Sequence, residues 1–125
     1  MAKKKLILLV EDDEFLAELY ATKLNLEGFT VALATDGEKG LKMIKDKIPD
    51  LILLDIILPK MDGFEILKNI KADKSLKKVP VILLTNLSQK DEIKKGLDLG
   101  ANDYLIKAHF MPSEVVKKIK QTIGS

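Results

Sequence analysis

Cysteine is absent from the 125 residues, so the chain can build neither a disulfide framework nor a thiolate metal site. That absence fits a reducing compartment. Arginine is absent as well: all 21 basic residues are lysines, set against 19 acids, for a net charge of +2. Reading base edges favours arginine forks and a basic excess, so direct contact with nucleic acid is not expected. No apolar run approaches the roughly 18 residues of a membrane span, and no membrane association is expected. The N-terminus is basic and then apolar, but acids follow at once, which excludes a signal peptide and points to the cytoplasm. Also missing are a glycine-rich phosphate loop after the first strand and any GxxxxGK motif followed by Ser or Thr.

The residues present are arranged with a clear rhythm. At 46% hydrophobic, the chain can form a full core without staples. Apolar runs at 6–10, 29–34, 51–56, 81–85 and 103–107 read as strands. Amphipathic segments alternate with them. Phe15, Leu16, Leu19, Tyr20, Leu24 and Leu26 recur at helical spacing, and Gly28 ends that helix. Further helices are expected after Gly37, through Phe64–Ile70, over 89–100, and from Pro112 to Ile123. Strand–helix alternation with near-continuous apolar strands means a doubly wound α/β parallel sheet covered on both faces. No linker, repeat or low-complexity stretch divides it. The expectation is a single domain over 1–125 with no output domain.

In such a sheet, ligands bind outside the carboxyl ends of the strands. The stretch "KLILLVEDDE" places Glu11, Asp12, Asp13 and Glu14 there. Two like charges at about 4 Å cost roughly 4 kcal/mol at an effective dielectric of 20, so this repulsion needs an offset. Asp13 and Glu14 suit the positive end of a helix dipole; Glu11 and Asp12 come too early for that. Strand three ends near Asp55, strand four at Thr85 and strand five at Lys107. An acidic site with one lysine and one hydroxyl suits a divalent cation with an anion brought to it. Mg²⁺ commonly takes one or two carboxylates plus a phosphate oxygen, and a carboxylate can serve as a nucleophile toward phosphorus. Taken singly, each residue has a plain structural reading as a cap, a packing group or a solvated charge. Their joint occurrence at four strand ends is the informative part.

The motifs "LLVEDDE", "LILLDIILPKMDGFE", "PVILLTN" and "GANDYLIK" give the chain a resemblance, over nearly its whole length, to the receiver domain of bacterial two-component response regulators. The resemblance implies a flavodoxin-like (βα)₅ sheet of order 2-1-3-4-5 and a phosphorylation-dependent signalling switch using Mg²⁺. It implies that Asp55 is the phosphoryl acceptor and that Thr85 and Lys107 grip the phosphoryl group. Asp12 would be the more direct metal ligand, Glu11 would act through water, and the backbone carbonyl of Ile57 would complete the metal set with Asp55. Thr85 and Tyr104 would be the switch residues, and Pro59 and Gly63 would shape a loop. The donor would be a sensor histidine kinase or a histidine phosphotransfer protein. The target would be a protein docking on the 89–98, 103–107 and 112–123 face.

The chain departs from the family pattern at three places. Asn86 stands where a small residue usually follows the Thr. Ala108 replaces the proline after Lys107, so a trans Lys107–Ala108 bond is expected. His109 lies in that altered loop, with no phosphorelay role assigned to it. Such a protein is not an enzyme in the usual sense. At most it phosphorylates itself from small donors and dephosphorylates slowly, since Ile57 and Leu87 cannot hydrogen-bond an attacking water. The alternatives are a receiver-like binding module that is never phosphorylated, and an aspartate-nucleophile phosphohydrolase. The latter would need an acid/base carboxylate where Ile57 stands.

Overall fold

A computed structural model describes residues 4–58, 60–85, 90–107 and 112–124. Five strands, β1 (Leu6–Val10), β2 (Thr30–Ala34), β3 (Leu51–Asp55), β4 (Val81–Thr85) and β5 (Asp103–Ile106), alternate with five helices. The helices are α1 (Glu14–Leu26), α2 (Gly37–Asp46), α3 (Gly63–Ala72), α4 (Lys90–Asp98) and α5 (Pro112–Ile123). All strand pairings are parallel, in the order β2-β1-β3-β4-β5, as the resemblance implied. Among the described residues, no helix is long and apolar enough to cross a membrane.

The two-residue period of the strands sorts their side chains between two cores. Leu8, Val10, Ile52, Leu54, Val81 and Leu83 pack with Ile44 of α2 and with Ile66, Leu67 and Ile70 of α3. Ile7, Leu9, Leu51, Leu53, Ile82, Leu84 and Leu105 pack with Ala17, Tyr20 and Leu24 of α1 and with Val115, Val116 and Ile119 of α5. The three central strands β1, β3 and β4 carry almost no exposed side chain. This is why they read as unbroken apolar runs.

Several element ends differ by a residue or two from the apolar runs. Phe29 does not begin β2, because its N–H bonds back to the Leu24 carbonyl at 3.0 Å and closes α1 around Gly28, which has φ +94°. β3 stops at Asp55, whose own carboxylate accepts from the Ile57 N–H at 3.2 Å and turns the chain. β5 stops at Ile106, one residue before Lys107. α4 ends at Asp98, and a turn leads to Gly100 at φ +112°. Three aspartates cap helices: Asp13 accepts from Leu16 N–H, Asp36 from Lys39 N–H and Asp62 from Glu65 N–H. Each satisfies a donor that the first helical turn leaves open.

The loop from β3 into α3 is tight enough to require glycine at its end. A Cβ on Gly63 would lie 2.5 Å from the Asp55 carbonyl oxygen and 2.8 Å from Ile56 Cα, both backbone atoms. The Gly63 N–H also donates to the Ile56 carbonyl at 2.9 Å. Gly63→Ala is therefore expected to destabilise the protein by about 1–3 kcal/mol, the usual cost of overpacking. Thermal unfolding checks this, and an unchanged melting temperature would show that the loop yields.

Candidate functional site

Glu11, Asp55 and Lys107 each extend the strand phase that faces α1 and α5. Glu11 follows Ile7 and Leu9 in β1, Asp55 follows Leu51 and Leu53 in β3, and Lys107 follows Leu105 in β5. The alternation that fills the core thus delivers three charged groups to one side at the strand ends. β1 and β3 are neighbours in the sheet, which brings Glu11 beside Asp55. Asp12, one residue on, is exposed, whereas Glu11, Asp55 and Thr85 are buried. Thr85 ends β4, opposite Ile106 in the β4–β5 register.

The Lys107 ammonium joins the two buried carboxylates. Its Nζ lies 2.6 Å from Asp55 Oδ2, 2.8 Å from Glu11 Oε1 and 3.1 Å from Glu11 Oε2. The pair is charge-assisted and short. Burial alone would lower the Lys107 pKa; its hydrogen bonds to Asp55 and Glu11 outweigh that and raise it. Glu11 is pushed up to about 8, first by burial and then by the neighbouring Asp55 carboxylate, with Lys107 opposing. The buried Tyr20 phenol beneath them is pushed up to about 12, again by burial first and then by Glu11.

One oxygen from each of Glu11, Asp12 and Asp55 lies within 4.8 Å of the others. An all-oxygen, carboxylate-rich set of this kind fits a hard divalent cation such as Mg²⁺ and not a soft metal. The N–H of Ile57 faces the Asp55 carboxylate, and its side chain is 61% exposed beside the site. Tyr104 is partly exposed on β5, opposite Leu83 in register.

Two features were not legible beforehand. The first is that Lys107 grips Glu11 as well as Asp55; the excess of acids over the single strand-end cation is the signal that could have shown it. The second is how close the backbone comes at Gly63, whose loop-shaping place the resemblance had implied without the contact to Asp55 and Ile56. Pro59, Asn86, Leu87, Ala108 and His109, together with the Lys107–Ala108 bond, lie outside the described residues.

A family model described as the response regulator receiver domain matches residues 7–120. The alkaline phosphatase synthesis transcriptional regulatory protein PhoP of Bacillus subtilis is 40% identical over 116 residues, covering 93% of this chain and 47% of that protein. The DNA-binding response regulator MtrA of Mycobacterium bovis is 38% identical over 114 residues, 91% of this chain and 48% of that protein. The chain spans about half the length of the curated relatives it matches. Among solved structures, a response regulator from Chloroflexus aurantiacus superposes with a TM-score of 0.91 at 32% identity, over 98% of this chain and 100% of that one. The receiver domain of a sensor histidine kinase from Pseudomonas aeruginosa superposes with a TM-score of 0.88 at 32% identity, over 98% and 99% of the two chains. That structure has a magnesium ion coordinated in its active site cleft. With its sheet order, its strand-end acids and a match across nearly all its length, the chain belongs to the response regulator receiver domain family.

Proposed function

We propose that Asp55 accepts a phosphoryl group from a sensor histidine kinase or a histidine phosphotransfer protein, and that the loaded chain then signals by protein contact. Receiver domains of this family are phosphorylation-dependent signalling switches. The observation that carries the residue assignment is the buried Asp55 carboxylate, held by Lys107 and crowded by Glu11 and Asp12. In the transfer, a carboxylate oxygen of Asp55 forms a bond to phosphorus as the donor's N–P bond breaks, leaving its electron pair on the imidazole nitrogen.

Glu11, Asp12, Asp55 and the backbone carbonyl of Ile57 are the groups that would hold Mg²⁺. When bound, the ion supplies charge stabilisation to the phosphoryl oxygens. Lys107, already in contact with the acceptor, supplies a second positive charge to those oxygens, and the Thr85 hydroxyl supplies a hydrogen bond. Thr85 and Tyr104 are then the side chains that report the loaded state to the 89–98, 103–107 and 112–123 face. A protein partner, rather than nucleic acid, suits a chain without arginine. DNA binding is named for relatives about twice its length.

Incubation with acetyl phosphate and Mg²⁺ should add one phosphate to the intact mass of the wild type and none to Asp55→Asn. Full labelling of the mutant would remove Asp55 from its role.

Mg²⁺ should also raise the melting temperature by mass action. At a free concentration 100-fold above Kd, the gain is about 2.7 kcal/mol. Asp12→Ala should abolish that response, whereas a mutant that still responds fully would place the ion elsewhere.

Loss of the phosphoryl group needs a water in line with the bond from Asp55 to phosphorus. The exposed Ile57 side chain offers that water no hydrogen bond. Ile57→Asn should therefore decay several-fold faster than wild type on a phosphate-affinity gel, and an equal or slower decay would reject the argument.

A further inference from the structure

We propose that the outer edge of β2 pairs with the same edge of a second copy of this chain, antiparallel about a two-fold axis at Ala32, so that two five-stranded sheets join into one. β2 is the outermost strand on the side of the sheet opposite β5. The surface is therefore separate from the 89–98, 103–107 and 112–123 face, and the proposal does not rest on the reading of Asp55. The ladder to β1 fixes which backbone groups point outward. Thr30 N–H donates to the Lys5 carbonyl and Glu11 N–H to the Ala34 carbonyl, both at 3.0 Å. Successive residues of a strand alternate in direction, so Thr30, Ala32 and Ala34 serve β1, while Val31 and Leu33 turn their N–H and C=O groups to the edge. Among the described residues, no bond outside the strand pairings uses those groups.

Sheet edges are ordinarily blunted by a charge, a proline, a bulge or a covering element. β5 follows that rule, since Asp103 opens it and pairs with Lys118 at 3.0 Å. β2 reads TVALA, without charge or proline. Leu33 is in phase with Val31 on the α1 side, yet it is 39% exposed and lies outside the core there. On the α2 side, a hollow of about 310 Å³ beside Thr30, Ala32 and Met43 leaves room for a second copy to approach. The edge is also self-complementary. With Ala32 on the axis, Val31 stands opposite Leu33 of the other copy and Leu33 opposite its Val31, and each such pair exchanges both N–H···O bonds. The same pairing covers the exposed Leu33 with a β-branched neighbour. It brings the start of one β2 beside the end of the other, and so Lys5 and Lys47 toward Glu38. None of these three forms an ion pair among the described residues. An identical strand meets every one of these conditions at once, which makes a second copy the occupant.

The test uses the full chain without a phosphoryl donor. Sedimentation up to about 1 mM chain, a range that reads weak association, should show a species of twice the chain's mass. Leu33→Lys places a charge on the edge and should abolish that species, with the melting temperature little changed because Leu33 lies at the surface. Single cysteines then read the register, since the chain has none of its own. Residues opposite one another in a non-hydrogen-bonded antiparallel pair have Cα atoms about 4.5 Å apart, inside the disulfide range of about 4.4–6.8 Å. Ala32→Cys should therefore crosslink to a second chain about tenfold faster than Thr30→Cys, which the axis carries away from its counterpart. If Leu33→Lys does not fold, the two cysteine variants decide alone. A chain that stays monomeric throughout, a dimer that survives Leu33→Lys, or equal crosslinking of the two cysteine variants would overturn the proposal.

Discussion

The whole site turns on carboxylates being forced together where the sheet ends. Glu11 and Asp55 reach one place because β1 and β3 are adjacent and in phase, and Asp12 follows directly. Like charges at that spacing are costly in a partly buried setting. The Lys107 ammonium relieves part of the cost by bridging Glu11 and Asp55. Burial first, and the Asp55 carboxylate after it, still hold the Glu11 pKa up. Oxygen ligands beside a fixed cation suit a hard divalent ion, and on the proposed reading the site would also receive the anionic group delivered to Asp55.

The rest of the fold keeps that arrangement in place. Two aliphatic layers hold the strands rigidly, so the side chains at their ends are positioned by packing rather than by flexible loops. Asp13 caps α1 immediately after the acids, and Asp62 caps α3 where the chain leaves the site. Gly63 closes the loop that begins at Asp55 by letting backbone meet backbone. Lys60, in that loop, sits at φ +67°, a conformation that costs a non-glycine residue about 1 kcal/mol or more. Its ammonium lies 3.9 Å from Asp36, the cap of α2. At that distance, and with Lys60 largely exposed, the pair adds little stability.

Most of the fold was legible because burial on both faces leaves a strong trace in sequence. Leu51–Leu54 and Val81–Leu84 have no polar interruption, and the breakers at Gly28, Gly63 and Gly100 fall at the joints. The boundaries were less legible, since Phe29 and Ile56 are apolar whether they pair in the sheet or turn out of it. The Phe29 N–H turns back to Leu24, whereas Ile56 still reaches Leu84 of β4 and the chain turns only at the Ile57 N–H bond to the Asp55 carboxylate, and none of these bonds leaves a compositional sign. Within the site, the strand-end positions of Glu11, Asp55, Thr85 and Lys107 followed from the alternation. The double contact of Lys107 did not, because it depends on how far one flexible side chain reaches across the sheet from β5 to β1.

The most direct measurement of the central claim is chemical trapping of the loaded group. Borohydride reduces an aspartyl phosphate to homoserine, and peptide mapping then locates the altered residue. The account predicts homoserine at position 55 alone, formed only when Mg²⁺ was present during loading. Homoserine at position 12 or 13, or equal trapping without the ion, would contradict it.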